Sequence, residues 1–135
     1  RQNPHGEAGV VAIFVNKMLS GDKAIINGDG KQARDFVYVK DVVKANIATL
    51  TISEPIVVNI GTGVSININQ LSDLLVKLTA TNILPEYGPG KAGEQKISVL
   101  DPSLAKKILN WEANTGLEEG LRQTVAYFQN EKENS

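Results

Sequence analysis

The chain has 135 residues, enough for one domain with a single core, and its 41% hydrophobic and 21% charged residues are typical of a soluble globular protein without a membrane span. Lysine plus arginine (14) nearly balances aspartate plus glutamate (15), and the basic residues are scattered, which argues against a nucleic-acid partner. With no cysteine and one histidine, His5, the sequence offers no disulfide and no metal site, and it fits a cytoplasmic protein.

The first third of the chain predicts a helix, a strand and a tight turn. Apolar residues recur at three- and four-residue spacing from Glu7 to Leu19, which predicts a helix with one buried face. Ala24 to Ile26 is of strand type, and the NGDG that follows is a turn sequence in which glycine allows positive φ. The opening RQNPHGEAGVV has neither a methionine nor a targeting pattern, so we expect the chain to begin inside a longer polypeptide.

The middle third predicts two strands and two helices. Phe36 to Val39 is a short β-type run, and Asp41 suits the N-terminus of the helix that follows. The run IVVNI, Ile56 to Ile60, has the near-continuous apolar character of a strand covered on both faces, and it ends at Gly61-Thr62-Gly63. Asn67 or Asn69 then caps a leucine-rich helix.

The last third predicts an extended segment, a loop and two helices. Ile83 to Tyr87 is compatible with extended backbone, and GPGKAG predicts a loop. Asp101-Pro102 is typical of a helix start, with a buried side formed by Leu104, Ala105, Ile108 and Leu109. Thr115-x-x-Glu118 reads as a capping box for the last helix. Helices interleaved with short strands predict an α/β domain.

Most residues that could carry catalysis have a simpler structural explanation. His5 lies in an irregular segment and is better read as a surface loop residue. Glu118 and Glu119 lie in a helix first turn, which the helix dipole favours. Tyr87 and Lys91 have the Tyr-x-x-x-Lys spacing of a catalytic pair on one helical face, but Gly88-Pro89-Gly90 between them would break a helix. The sequence therefore supplies no catalytic residue.

Three charged residues remain as candidates for binding a ligand. Arg34 suits a diphosphate because its planar guanidinium donates bidentate hydrogen bonds and keeps its charge. Lys91 lies among glycines that let a ligand approach the backbone, and Glu94 follows it closely. A structural ion pair explains Arg34 equally well at this point. Gly61-Thr62-Gly63 lacks the third glycine of a dinucleotide loop and is better read as a tight turn.

Four ordered segments carry a resemblance that covers nearly the whole chain. GDGKQARDFVYVKDVVKANI, VVNIGTGVSININQLSDLL, KAGEQKISVLDPSLAKKILNW and GLEEGLRQTVAYF resemble the C-terminal portion of extended short-chain dehydrogenase/reductase proteins. Within that group they are most similar to the NAD-dependent epimerase/dehydratase family, of the UDP-glucose 4-epimerase type.

The resemblance implies a fold, a cofactor and a reaction for the complete protein. It implies a Rossmann-type fold in which residues 1–135 form the C-terminal nucleotide-sugar-binding domain, while the Rossmann half that binds NAD precedes Arg1. The family epimerises UDP-hexoses by NAD-dependent oxidation and reduction at C4 of the sugar. The catalytic tyrosine and the NAD loop belong to the missing half, so this chain is expected to be inactive alone.

The resemblance also assigns roles to seven residues by position. It implies that Arg34 grips the UDP diphosphate, that Lys91 is a second phosphate ligand and that Glu94 lies near the nucleotide ribose. It also implies that the uracil is read by the backbone of a strand formed by Ile25, Ile26 and Asn27. Ser98 falls on a position that lines the sugar pocket in the family. The KAGE sequence replaces the family's RPGD, so a point charge stands where the family has an arginine fork.

Two alternatives and one packing expectation remain open. A nucleotide-sugar dehydratase or decarboxylase shares this C-terminal architecture, and a stand-alone sugar-nucleotide-binding module would use the same residues without catalysis. The complete protein is expected to be a homodimer. Ile56 to Ile60 and the helix after Asp41 are expected to pack on the missing Rossmann sheet, so the chain alone would expose an apolar face or self-associate through it.

Overall fold

The fold is described from a computed structural model, which covers residues 9–133. These residues form five helices and five short strands in the order α1 (Val10–Leu19), β1 (Ile25–Asn27), β2 (Ala33–Asp35), α2 (Val39–Thr49), β3 (Ser65–Asn67), α3 (Ile68–Thr79), β4 (Glu86–Gly88), β5 (Ile97–Ser98), α4 (Ser103–Leu109) and α5 (Leu117–Glu133). The predicted α/β class is confirmed. The predicted start of the first helix at Glu7, and His5, lie outside the described residues.

The strands form two small sheets that set the position of the charged candidates. In the first, β1 pairs with β4 in parallel, with Ile26 opposite Tyr87. In the second, β2 lies between β3, to which it is antiparallel, and β5, to which it is parallel. Arg34 is therefore in the central strand of its sheet, with Ile66 and Ser98 as neighbours.

The apolar residues gather in two clusters. The larger one lies between α1, α3, α5 and β1, and its most buried members are Val15, Ile26, Leu71 and Leu75. The smaller one joins α2, residues 56–60, α4 and the segment after it, around Ala45, Ala105, Leu109 and Trp111. Among residues 9–133, no helix is both long and apolar enough to cross a bilayer.

The predicted strand at Phe36 to Val39 is wrong. The strand lies three residues earlier, at Ala33–Asp35, because that segment has hydrogen-bonding partners on both sides. Phe36 and Val37 instead pack against the two apolar clusters, and Val39 already begins α2. Asp41 therefore lies in the first turn of α2 rather than before it. The first predicted strand is also displaced by one residue, from Ala24–Ile26 to Ile25–Asn27.

The predicted strand at Ile56 to Ile60 is likewise absent from the described structure. Every second residue of this run, Ile56, Val58 and Ile60, packs against the smaller cluster. Val57 between them is 92% exposed, so the run is covered on one face only. The alternation is that of a strand, but no neighbouring strand within residues 9–133 pairs with it.

The predicted helix caps have three different outcomes. Asn67 is confirmed as the α3 cap: its side chain accepts from the Gln70 N–H at 2.9 Å, and the Gln70 side chain accepts from the Asn67 N–H at 3.1 Å. At α4 the helix begins one residue later than predicted, at Ser103, with Pro102 at the N-cap. Asp101 still accepts from the Ser103 N–H. The α5 prediction is wrong, since the helix starts at Leu117 and the Thr115 N–H donates to Asp41. In α4, Leu104 and Ile108 are 45% and 40% exposed, not buried as predicted.

Candidate functional site

A cleft of about 770 Å³ opens where both sheets meet the starts of α1, α2 and α5. One wall is apolar and comes from α1 and α5, including Val10, Ile13 and Leu121. The other wall carries the polar groups Asn27, Gln32, Arg34, Lys91 and Glu94, among other residues. The cleft is large enough for a drug-sized or nucleotide-sized ligand, which fills roughly 300–1,000 Å³.

Arg34 holds the central position of the polar wall. One guanidinium nitrogen, Nη1, donates to the backbone oxygen of Ala33 at 2.8 Å, and Nη2 lies 3.6 Å from Oε1 of Glu94. The two side chains are 30% and 29% exposed, so both are partly desolvated. A guanidinium has five N–H donors, so these two contacts leave donors available on a residue that lines the cleft. The structural ion pair and a ligand role for Arg34 are therefore compatible.

The free edge of β1 contributes backbone groups to the cleft. The oxygen of Ala24 and the N–H of Gly28 both bond to the β4 side, at 2.9 and 3.0 Å. Because backbone groups alternate along a strand, those of Ile25 and Asn27 point to the opposite edge, where the cleft lies. Ile26 does not line the cleft, since its side chain is in the core at 1% exposure.

The loop between β4 and β5 brings Lys91 and Glu94 to the cleft. Gly90 of this loop lies against Gly28, because a Cβ built on Gly28 would be 3.4 Å from the Gly90 Cα. Gly28 also has a φ of +66°, at which a residue with a side chain would be strained. Ser98, at the end of the loop, pairs with Arg34 but is not among the residues that line the cleft. The loop thus joins five of the seven predicted site residues, Ile25, Asn27, Arg34, Lys91 and Glu94, in one cleft.

Gln32 is a cleft residue that the sequence predictions missed. Its side chain donates to the backbone oxygen of Asn27 at 2.9 Å and so links β1 to the start of β2. The signal was present in the spacing, since Gln32 and Arg34 are two residues apart and a strand places such residues on the same face.

Asp35 has its own binding partners, which lie away from Arg34. Its carboxylate accepts from the Thr62 hydroxyl at 2.6 Å and from the N–H groups of Thr62, Gly63 and Leu100. Burial opposes ionisation of this carboxyl, but the Thr62 hydroxyl and these N–H donors outweigh it and lower the pKa of Asp35. The Gly61-Thr62-Gly63 turn therefore does bind an anion, and that anion is part of the chain.

Asp41 is a second structural carboxylate beside the cleft. Its side chain is fully buried, accepts from the Thr115 N–H at 2.8 Å and lies 3.1 Å from Nζ of Lys44. Its backbone oxygen accepts from Nε1 of Trp111 at 2.8 Å. Burial again opposes ionisation, and the Thr115 hydrogen bonds together with Lys44 lower the pKa of Asp41. These contacts fix residues 115–117, which line the cleft.

Comparison with known proteins gives consistent matches over the chain. The model of the NAD dependent epimerase/dehydratase family matches residues 1–61. The chain is 42% identical over 130 residues to a putative UDP-glucose 4-epimerase of Methanocaldococcus jannaschii, a match that covers 96% of this chain and 42% of that protein. It is 32% identical over 126 residues to UDP-glucuronic acid decarboxylase 1 of Danio rerio, covering 92% of this chain and 30% of that protein.

The solved structures agree with the sequence matches. The crystal structure of UDP-glucose 4-epimerase with UDP-glucose from Thermotoga maritima superposes with a TM-score of 0.94 at 47% identity. That match covers 98% of this chain and 43% of the other, so the chain spans less than half the length of these relatives. In sequence and in fold, the chain belongs to the NAD dependent epimerase/dehydratase family.

Proposed function

We propose that this chain is the C-terminal nucleotide-sugar-binding domain of a UDP-glucose 4-epimerase. The observation that carries the proposal is the cleft, in which a partly buried arginine and a lysine face the free edge of a strand. A nucleotide sugar presents a diphosphate to the cations and a planar base that the strand backbone can read by hydrogen bonds. Relatives named as UDP-glucose 4-epimerases support this substrate class.

Each cleft residue then has a role in binding. Arg34 donates to the diphosphate, Lys91 adds a second positive charge, and Glu94 accepts from a ribose hydroxyl. Without ligand, Glu94 lies 3.6 Å from Arg34 and keeps the guanidinium in the cleft. Ile25 and Asn27 offer backbone groups to the uracil, and buried Ile26 holds their strand in place. Because lysine is a point charge, the phosphate contact at Lys91 is less directional than an arginine contact.

The redox chemistry belongs to the remainder of the complete protein. Among residues 9–133, the glycine turn at Gly61-Thr62-Gly63 is filled by the carboxylate of Asp35, so it does not fit the phosphates of NAD. NAD, when bound to the rest of the protein, accepts the hydride from the sugar and returns it. This chain binds and orients the nucleotide sugar and is inactive alone.

The test is an activity assay on the complete protein that carries this chain. We expect it to interconvert UDP-glucose and UDP-galactose, and the 135-residue chain to show no turnover. Arg34→Lys in the complete protein should raise KM by about tenfold, because it keeps the charge and loses the bidentate fork. A complete protein without epimerase activity, combined with UDP binding by the 135-residue chain, would instead indicate a binding module.

A second candidate is supported by the decarboxylase from Danio rerio. A decarboxylase would release carbon dioxide from UDP-glucuronic acid, whereas a 4-epimerase would invert a UDP-hexose without loss of carbon. Assaying the complete protein with both substrates separates the two, and release of carbon dioxide alone would replace the epimerase proposal.

Ser98 motivates a narrower proposal about the sugar. Ser98 does not line the described cleft, so this proposal rests on the family resemblance, in which this position lines the sugar pocket. A small side chain there would leave room for a 2-acetamido group, so the enzyme would accept UDP-N-acetylhexosamines as well as UDP-hexoses. Ser98→Tyr should then reduce activity on the acetamido sugars more than on the hexoses. An unchanged ratio of the two activities would contradict this steric role, and Ser98→Ala serves as the control that preserves the space.

The proposal includes a cytoplasmic homodimer. The family resemblance implies that the protomers pair through the part that precedes this chain. The complete protein should therefore sediment as a dimer, and a monomer at micromolar concentration would contradict this arrangement.

A further inference from the structure

The carboxylate of Asp35 is the most heavily hydrogen-bonded acidic group described beside the cleft. Thr62 contributes two donors, its hydroxyl at 2.6 Å and its N–H at 2.9 Å. Gly63 donates its N–H at 3.0 Å and Leu100 at 3.4 Å. A carboxylate that accepts several N–H bonds is held firmly, since charge-assisted hydrogen bonds are about twice as strong as neutral ones.

The turn that holds this carboxylate is shaped for it. A Cβ on Gly61 would lie 2.6 Å from Oδ2 of Asp35 and 2.9 Å from Cβ of Leu100, so only glycine leaves room. Gly63 has φ of +76°, a value that side chains rarely adopt. The turn Gly61-Thr62-Gly63 therefore leaves room for the Asp35 carboxylate and for no side chain on Gly61.

These bonds join all three strands of the sheet that carries Arg34. Asp35 pairs with Ser65 of β3, and Gly63 lies just before that strand. Leu100 lies just after β5, whose Ser98 pairs with Arg34. The carboxylate thus connects the segments on both sides of β2 at the residue that follows Arg34. Arg34 and Asp35 both line the cleft, but the Asp35 carboxylate is bonded to the turn, whereas the Arg34 guanidinium bonds to Ala33 and lies by Glu94.

We propose that Asp35, held by Thr62 and Gly63, is a positioning residue that fixes Arg34 for the diphosphate of a nucleotide sugar. The proposal rests on the function proposed above. It also explains why the arginine and aspartate are adjacent: one side chain binds the ligand and the other anchors the backbone that presents it. A guanidinium fork requires such precision, since both of its hydrogen bonds depend on its orientation.

A double-mutant cycle on the complete protein tests this positioning role. The probe is UDP, and its Kd is measured by titration calorimetry for wild type, Arg34→Ala, Asp35→Asn and the double variant. We expect Arg34→Ala to weaken binding by about tenfold or more and Asp35→Asn by about tenfold. In the Arg34→Ala background, Asp35→Asn should change the Kd by less than about twofold, because there is no guanidinium left to position.

Thr62 provides a milder pair of variants in case Asp35→Asn does not fold. Thr62→Val removes the hydroxyl bond to Asp35 and nearly keeps the shape, whereas Thr62→Ser keeps the hydroxyl. Thr62 is not among the residues that line the cleft, and its hydroxyl also accepts from the Val64 N–H at 3.1 Å, so an effect on UDP binding acts through the turn that holds Asp35 and not by direct contact. We expect Thr62→Val to weaken UDP binding by about threefold and Thr62→Ser to bind like wild type.

The outcomes separate the two proposals. If Arg34→Ala leaves UDP affinity unchanged, the proposed ligand role of Arg34 fails, and the positioning role fails with it. Suppose that Arg34→Ala weakens binding, and that Asp35→Asn raises the Kd by the same factor in the Arg34→Ala background as in wild type. Only the positioning role is then overturned. The same holds if Asp35→Asn or Thr62→Val lowers the melting temperature and leaves the Kd as in wild type, which is the signature of a purely structural residue.

Discussion

The two apolar clusters of the chain differ in how completely they are covered. The larger cluster is enclosed by α1, α3 and α5, and Val15, Leu71 and Leu75 in it have no exposed surface. The smaller cluster, around Trp111, is also buried, but the segments that pack on it carry exposed apolar residues as well. The other side of α2 and the adjoining run present Val43, Ile47, Leu50 and Val57 to solvent.

The larger cluster therefore stabilises this chain by itself, whereas the exposed apolar residues near the smaller cluster are available to a partner surface. Large exposed apolar residues on two segments that pack on the same cluster are of the kind that marks an interface. We expect the rest of the complete protein to cover them. Phe36 packs on the first cluster and Val37 on the second, and both line the cleft.

The largest effect is expected in the enclosed cluster. Leu71→Ala should lower the free energy of unfolding by about 2–5 kcal/mol, because it leaves a cavity in a packed core. The matched change Leu50→Ala, at a residue that is 83% exposed, should alter it by less than about 0.5 kcal/mol in this chain. Urea unfolding of both variants measures the contrast, and equal losses would contradict the division into two regions.

A smaller loss of unfolding free energy is expected at buried Asp41, which joins α2 to Trp111 and Thr115. Asp41→Ala leaves the Thr115 N–H without its acceptor, and it should cost about 1.5–3 kcal/mol of unfolding free energy. Asp41→Asn keeps an oxygen acceptor and should cost less. Because Trp111 is the only tryptophan and bonds to the Asp41 backbone, its fluorescence follows the unfolding directly. A cost for Asp41→Asn as large as that for Asp41→Ala would contradict the hydrogen-bond explanation.

The carboxylates of Asp35 and Asp41 predict how the stability of the folded chain depends on pH. The pKa values of Asp35 and Asp41 are lowered in the folded state, so the folded state binds their protons less tightly than the unfolded chain. Their contribution is complete above the unfolded value, roughly pH 4, and is lost as the pH falls through the lower folded values. The melting temperature should therefore drop steeply below about pH 4. In Asp41→Asn this drop should be shallower, and an identical acid profile would contradict the assignment.

The smallest effect on stability is expected on the exposed face. Ile47→Lys should leave the unfolding free energy of this chain within about 0.5 kcal/mol, because Ile47 is 60% exposed. It should reduce hydrophobic-dye binding and self-association, which sedimentation velocity measures. Asn46→Lys, at the exposed polar residue next to Ile47 on α2, adds the same charge and is the control for a general change in charge. A wild-type chain that is monomeric and binds no dye would contradict the exposed-face interpretation.

The sequence predicts those features that depend on local chemistry. Asn67 and Gln70 cap α3 because both partners lie within four residues, and such a pair is visible in the sequence alone. Arg34, Lys91 and Glu94 were likewise identified by residue type and resemblance, and the fold brings them to one cleft.

Features that depend on distant partners could not be predicted. The apolar run Phe36 to Val39 has better strand composition than Ala33–Asp35, but only the latter has neighbouring strands on both sides. The composition of residues 56–60 is that of a fully covered strand, yet no strand within residues 9–133 pairs with it and only one of its faces is covered. The partners of Asp35 lie about 27 and 65 residues away, so no local pattern indicates them.

The central claim is that Arg34 presents its guanidinium to the diphosphate of a nucleotide sugar. The most direct test is a crystal structure of the complete protein with UDP bound. The account predicts that the Arg34 guanidinium donates to the phosphate oxygens within hydrogen-bond distance, with Asp35 still bound to Thr62 and Gly63. A diphosphate bound away from Arg34, with the arginine still paired to Glu94, would contradict it.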